Sequence, residues 1–254
     1  MPNRKLVAAL ACRAGGGRLY GKPLQNIDIK NSITILDHLI DGLKACDEID
    51  EIVLGISEGD ENEIFVSYAH KHQITYIIGD QMDVLWRLIQ CGRIGKATDV
   101  FRITSECPFV AWELVPNAWD RHVTRKNDIT VTDYLPEGMN FEIYTLDSLE
   151  LSHTKGGKYE RSEFCSAYAR KNSKDFKIEI VSPSEHFKRL DLRLTVDYPE
   201  DLIVCRNIYN QLKQKGPHIP MDDIIGYLDK NPHVHKLVEP FVDQTPIWAS
   251  ILEA

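Results

Sequence analysis

The chain has 254 residues, 43% of them hydrophobic and 27% charged, with a formal net charge of −8. The length suits one large domain or two small ones with a substantial core, and no apolar run approaches the roughly 18 residues of a membrane span. The acidic balance argues against general nucleic-acid binding, which draws its phosphate affinity from massed Lys and Arg; a small anion held by a local basic cluster remains compatible with it.

In chain order, LVAALAC (6–12) is a continuous apolar strand. MPNRKLVAALACRAGGG has a faint signal-peptide look, but its apolar stretch is short and runs into Arg13 and the glycines, so a buried strand is expected. SITILDHLIDGLKAC (32–46) sets Ile35, Leu36, Leu39, Ile40 and Leu43 at helical spacing. EIVLGIS (51–57) is a second strand, 60–72 a polar helix, and ITYIIG (74–79) a third strand. DVLWRLIQCGRIG (83–95) is an amphipathic helix ending at glycine. DVFRIT (99–104) is a fourth strand and WELVPNAWDRHV (112–123) a helix despite Pro116.

The second half is less regular. DITVTDY (128–134) and FEIYTL (141–146) read as strands around LPEGMN, 160–172 as a helix, and FKIEIV (176–181) and DLRLTV (191–196) as strands. YPEDLIVCRNIYNQLKQKG (198–216) is a helix with Pro199 in its first turn, acids following and Gly216 at its end. The alternation predicts a mostly parallel sheet with helices on both faces, in three α/β/α layers. Residues 1–216 form the predicted domain; 217–254, with four of the twelve prolines and helical periodicity only at 221–229, form a C-terminal extension. The six cysteines are scattered without a CxxC pair, which argues against a disulfide framework or zinc knuckle and suits reduced thiols in a cytoplasm.

Three stretches carry candidate chemistry. In ACRAGGGRLYGKPL (11–24), Gly15, Gly16 and Gly17 lie among Arg13, Arg18 and Lys22. Glycines let backbone N–H groups approach a ligand and allow positive φ, successive N–H groups make an anion-binding concavity, and the cations supply charge for a polyphosphate. A glycine-rich surface turn with solvated charges has the same composition. The loop is neither a Walker A nor a GxGxxG motif. In RITSECPFV (102–110), Glu106 follows a strand, at the edge where open α/β sheets bind ligands; it is either a loop acid or a Mg²⁺ ligand. In LRLTVDYPEDL (192–202), Asp197 is a second candidate for the same metal or a helix N-cap, and Glu200 and Asp201 read as first-turn acids facing the helix dipole. The pairs His70/His72 and His233/His235 and the loop residues Lys158 and Arg161 suit solvated surfaces better than ligation.

The ordered set RxGGGRLxGKPL, DVLWR (83–87), RITSECPF (102–109), PEGMNFEIY (136–144) and LRLTVDYPEDL resembles the spore-coat-polysaccharide-type cytidylyltransferases, relatives of the CMP-KDO and CMP-sialic acid synthetases, over residues 6 to 213. The resemblance implies a Rossmann-like nucleotidyltransferase with a small dimerisation and acceptor subregion, acting as a cytoplasmic homodimer. It implies transfer of CMP from CTP to a sugar acid for surface glycan synthesis, with release of pyrophosphate. It assigns the loop from Ala11 to Lys22 to CTP: Arg13, Gly15, Gly16 and Gly17 lie near base and phosphates, and Arg18 and Lys22 neutralise the triphosphate. Arg87 matches an arginine beside the cytosine, Asp197 a Mg²⁺ ligand, and Glu106 the place of a second ligand, usually Asp; Arg102 and Ser105 join the nucleotide-binding candidates. Many relatives have two serines among the loop glycines, a Pro at Tyr20, and Arg and His where Ser162 and Phe164 stand. The last departure, near the acceptor side, keeps open a phosphorylated polyol or phosphonate acceptor. A nucleotide-binding protein without turnover is a further alternative.

Overall fold

The computed structural model describes residues 4–252; Met1–Asn3 and Glu253–Ala254, the outer ends of the two predicted segments, lie outside it. The strands are β1 (Leu6–Cys12), β2 (Asn26–Asp28), β3 (Ile33–Thr34), β4 (Glu51–Ser57), β5 (Thr75–Gly79), β6 (Asp99–Arg102), β7 (Ile129–Thr132), β8 (Glu142–Thr145) and β9 (Ile178–Val181). The helices are α1 (Ile35–Lys44), α2 (Glu63–His72), α3 (Val84–Ile94), α4 (Val115–Arg125), α5 (Leu146–Lys155), α6 (Lys158–Arg161), α7 (Ala167–Lys171), α8 (Pro199–Leu212), α9 (Met221–Lys230), α10 (Pro232–His235) and α11 (Ala249–Leu252).

Seven strands form one sheet in the order β5-β4-β1-β6-β8-β7-β9, while β2 and β3 pair separately. β8 is antiparallel to β6 and β7, and the other pairings of the main sheet are parallel. The apolar run of β1 is explained by burial on both faces. Leu6, Ala8 and Leu10 join the core that includes residues of α1, α2, α4, α8 and α9; Val7 and Ala9 join the opposite core with residues of α3, α5 and α7. This is the three-layer, mostly parallel arrangement expected from the sequence. Residues of 217–252 enter both cores, Ile224, Ile225 and Leu228 on one face and Trp248 on the other.

Local chemistry sets several boundaries. Thr34 and Asp37 form a capping box that starts α1, and the Asp83 carboxylate accepts from the Trp86 amide to start α3. Pro116 sits in the first turn of α4, where its missing N–H costs nothing, after a short 3-10 turn at Trp112–Leu114.

Three expectations are corrected. DLRLTV is extended but joins no sheet: apart from an isolated bridge of Arg193 to Glu137, it threads between loops. The Leu194 amide donates to the Glu137 carbonyl at 2.7 Å and the Val196 amide to the Glu106 carbonyl at 3.2 Å. Gly138 permits this approach, since its φ is 96° and a Cβ there would lie 2.5 Å from the Thr195 nitrogen. The predicted strand 141–146 stops at Thr145, whose side chain caps the unforeseen α5. That helix buries only Ser148, Leu149 and Ser152, so its apolar period is faint. The predicted helix 160–172 is two short helices, α6 and α7, interrupted at 162–166. Among the described residues no helix is long and apolar enough to cross a membrane, and all six cysteines are free and buried.

Candidate active site

The carboxyl ends of β1 and β6 open into a cleft of about 470 Å³. The chain proceeds from β1 to β4 on one side and reaches β6 on the other, so the cleft lies at a reversal of strand order, where open α/β sheets bind ligands.

The glycine loop is pinned at two points. The Ala14 amide donates to Asn62 Oδ1 at 2.7 Å, and the Gly21 amide donates back to the Ala14 carbonyl at 2.8 Å. Gly21 takes the left-handed conformation, φ 58°, to start the short 3-10 turn Lys22–Leu24. Gly15, Gly16 and Gly17 are not in the positive-φ region, so the expectation that they use that freedom is corrected. Their value is access: among the described residues no group accepts from their amides.

All the candidate residues line this cleft. Ala11, Arg13, Gly15, Gly16, Gly17, Arg18 and Lys22 come from β1 and its loop, and Arg87 from α3. Arg102, Ser105 and Glu106 come from β6 and the following loop, and Asp197 from the turn into α8. Five cations thus face three acids, Glu106, Asp197 and Glu163, a local excess of positive charge on an acidic chain.

Each side chain has a distinct environment. Arg13 Nη2 pairs with Glu163 Oε2 at 2.7 Å across the mouth. Lys22 Nζ lies 2.6 Å and Arg18 Nη2 3.0 Å from Asp197 Oδ1, while Arg193 Nη2 lies 2.9 Å from Asp197 Oδ2. Burial raises the Asp197 pKa, and the Lys22, Arg18 and Arg193 charges outweigh it, leaving the carboxyl below its ordinary value. Arg87 is 1% exposed and has no carboxylate partner among the described residues. Its guanidinium donates to the carbonyls of Cys12 at 3.3 Å, Gly55 at 2.7 Å and Gln81 at 3.5 Å, and its Nε has no partner among the described residues. Burial therefore lowers its pKa. Arg102 Nη1 pairs with Glu142 Oε2 at 2.6 Å. Ser105 Oγ donates to the Ala11 carbonyl at 3.0 Å, tying the loop after β6 to β1.

Sequence inspection overlooked the group behind Asp197. Arg193, 4% exposed, pairs with Glu137, Asp197 and Asp201. Asp201 is in the first turn of α8 as expected, and it is also buried: it holds Arg193 at 2.9 and 3.1 Å and accepts from the Asp197 and Tyr198 amides at 2.8 and 2.9 Å. The residue at the helix N-cap is Tyr198, so the N-cap alternative for Asp197 is corrected. The spacing of Arg193, Asp197 and Asp201, four residues apart each time, was the available signal.

Glu106 and Asp197 are neighbours through the bond from the Val196 amide to the Glu106 carbonyl. They are two hard-oxygen donors, and no cluster of three or more metal-ligating side chains occurs among the described residues. That donor set fits Mg²⁺, which characteristically takes one or two carboxylates and completes its shell with phosphates and water.

No family model matches the chain. In sequence it is similar to an uncharacterized protein of Methanocaldococcus jannaschii, 26% identical over 235 residues, covering 92% of this chain and 94% of that one. It is 23% identical over 225 residues to the spore coat polysaccharide biosynthesis protein SpsF of Bacillus subtilis, covering 88% of this chain and 93% of SpsF. In fold it is similar to a cytidylyltransferase from Leptospira borgpetersenii serovar Hardjo-bovis, with a TM-score of 0.83 at 21% identity, covering 92% of this chain and 97% of that one. A CMP:2-keto-3-deoxy-manno-octonic acid synthetase complexed with CTP is similar at a TM-score of 0.61 and 14% identity, covering 82% and 99%. The chain thus shares its fold with a cytidylyltransferase and with a CMP:2-keto-3-deoxy-manno-octonic acid synthetase, and is similar to SpsF along most of its length.

Proposed function

We propose that the chain transfers CMP from CTP to a sugar acid, releasing pyrophosphate, in the synthesis of a surface glycan. The observation that carries this reading is the convergence of three unpartnered glycine amides, Arg18, Lys22 and the Glu106–Asp197 pair on one cleft. The acceptor class rests on the names of two similar proteins, SpsF and the CMP:2-keto-3-deoxy-manno-octonic acid synthetase.

In this reaction an acceptor oxygen attacks the α-phosphorus in line; the bond from that phosphorus to the bridging oxygen breaks, and pyrophosphate leaves with the electron pair. The protein's part is positioning and charge neutralisation. The amides of Gly15, Gly16 and Gly17 meet phosphate oxygens. Arg18 and Lys22, held on Asp197 in the free chain, turn to the β- and γ-phosphates. Arg87 stiffens the floor by joining the ends of β1 and β4 to the loop at Gln81, leaving the base a preformed surface. Glu106 and Asp197 would hold Mg²⁺, which when bound supplies Lewis-acid and template chemistry. The same reading takes the acting unit as a cytoplasmic homodimer, whose stoichiometry sedimentation equilibrium tests.

Ser162 and Phe164 stand where the family resemblance places Arg and His, and Phe164 lines the cleft; this departure keeps a phosphorylated polyol or phosphonate as a second acceptor class. The test is pyrophosphate release from CTP and from UTP, with Mg²⁺, across both acceptor classes. Release with CTP and one acceptor, reduced at least about 100-fold by Asp197→Asn with the fold intact, is expected. CTP binding without release for any acceptor favours a nucleotide-binding protein instead, and a near-normal rate in Asp197→Asn removes Asp197 from the site.

A further inference from the structure

The stretch after α8 touches, at three places, residues that hold side chains of the cleft lining. His235, in α10, accepts at Nε2 from the Arg193 amide at 3.2 Å. Phe241 stacks on Tyr198 with ring centroids 4.2 Å apart and planes at 10°. Two guanidiniums also lie over the Tyr198 ring: the Arg18 carbon is 4.9 Å from the centroid, with Nη1 3.4 Å from the hydroxyl, and the Arg193 carbon is 6.0 Å away. Trp248 is 1% exposed, and its indole Nε1 donates to Glu142 Oε1 at 2.9 Å. Glu142 Oε2 in turn holds Arg102 Nη1 at 2.6 Å and accepts from the Tyr144 hydroxyl at 3.0 Å.

The anchor of this arm is buried. Asp133, 1% exposed, accepts from the amides of Ile247, Trp248 and Ala249 at 3.1, 2.7 and 2.7 Å. A buried carboxylate satisfied by backbone amides is costly to strip, so the indole is held in register with Glu142 rather than packed loosely. A packing arm would need only apolar contacts; this one donates a specific hydrogen bond to the carboxylate that holds Arg102 and extends a cation–aromatic stack by one ring.

We propose that the C-terminal arm, residues 217–252, is a positioning element of the cleft: Trp248 acting through Glu142, and Phe241 acting through Tyr198, hold the guanidiniums of Arg102 and Arg18 where an anionic ligand meets them. Arg is a planar donor whose value to an anion depends on orientation. Glu142 can face Arg102 with Oε2 because the indole occupies Oε1. Arg18 is half exposed, with a side-chain exposure of 52%, and the ring it lies against is itself stacked on Phe241. The identity of the anion rests on the cytidylyltransferase reading; the positioning does not.

The test uses the full chain and the variants Trp248→Phe, Phe241→Ala and Phe241→Tyr. Three measurements are made: arginine Nε–H spectra of the free ¹⁵N-labelled protein, calorimetric binding of CTP with Mg²⁺ and of CMP, and Tm. Trp248→Phe is expected to shift or broaden the Arg102 signal and Phe241→Ala the Arg18 signal, with that of Arg87 unmoved. Phe241→Ala is expected to weaken CTP about two- to fivefold, the worth of one exposed cation–aromatic contact, to leave CMP within that range's lower bound, and to be rescued by Phe241→Tyr. Unmoved Arg18 and Arg102 signals overturn the proposal whatever happens to Tm. Moved signals with an unchanged ratio of CTP to CMP affinity support positioning by the arm and count instead against the triphosphate role of Arg18.

Discussion

Lys22 Nζ and Asp197 Oδ1 lie 2.6 Å apart, joining positions separated by 175 residues. The contact closes the glycine loop onto the turn that starts α8. It also means that any anion reaching Lys22 competes with a carboxylate that already holds the cation in place.

Lys22→Ala is expected to weaken CTP binding about ten- to a hundredfold, the range for a hydrogen bond to a charged group, and CMP binding by less than about threefold. Calorimetry with both nucleotides checks this; equal losses would put Lys22 away from the β- and γ-phosphates.

Arg193→Ala removes one cation from three acids, of which Asp201 has a fully buried side chain. Leaving one member of a buried pair uncompensated typically costs about 3–5 kcal/mol. Urea unfolding should show a loss of that size, and a loss below about 1 kcal/mol would mean that Asp201 is satisfied by the Asp197 and Tyr198 amides alone.

Gly16→Ala places a Cβ 2.6 Å from the Leu19 carbonyl oxygen, a backbone atom that cannot swing aside, whereas a Cβ at Gly15 meets nothing within 4 Å. CTP affinity should fall at least about tenfold in Gly16→Ala, equivalent to one lost charge-assisted bond, and stay within about twofold in Gly15→Ala. Parallel behaviour of the two variants would show that the loop shape does not matter for binding.

His38 on α1 is 5% exposed and edge-on to Phe109 and Tyr209. Burial, with His218 nearby, lowers its pKa from 6.5 to about 4. Between those values the unfolded chain binds the proton and the folded chain does not, so stability falls as pH drops through this window, by on the order of 3 kcal/mol in full. His38→Gln should flatten the fall when unfolding is followed from pH 7 to pH 4; an unchanged slope would assign it to other groups.

The sequence was most legible where one local cause sufficed. β1 and β4 have the expected bounds because their apolar runs are buried on both faces. α3 keeps close to the expected bounds, between its caps Asp83 and Gly95. The three stretches singled out for chemistry meet at one cleft. α5 was not legible, because two of its three buried residues are serines and leave no apolar stripe. DLRLTV misled because its alternating Leu192, Leu194 and Val196 are buried as a strand's would be, yet its backbone pairs with the loops at Glu137 and Glu106.

By itself, then, the sequence determined the layers and which loops meet at the cleft. Hydrophobic period, caps and glycine placement act over a few residues and need no knowledge of distant neighbours. Only the tertiary structure decided that Asp201 is a buried partner of Arg193, that Asp197 is shared by three cations, and that Trp248 and Phe241 stand behind Arg102 and Arg18. A charge is solvated or paired, and a ring idle or stacked, according to which remote backbone folds against it, and no local pattern encodes that.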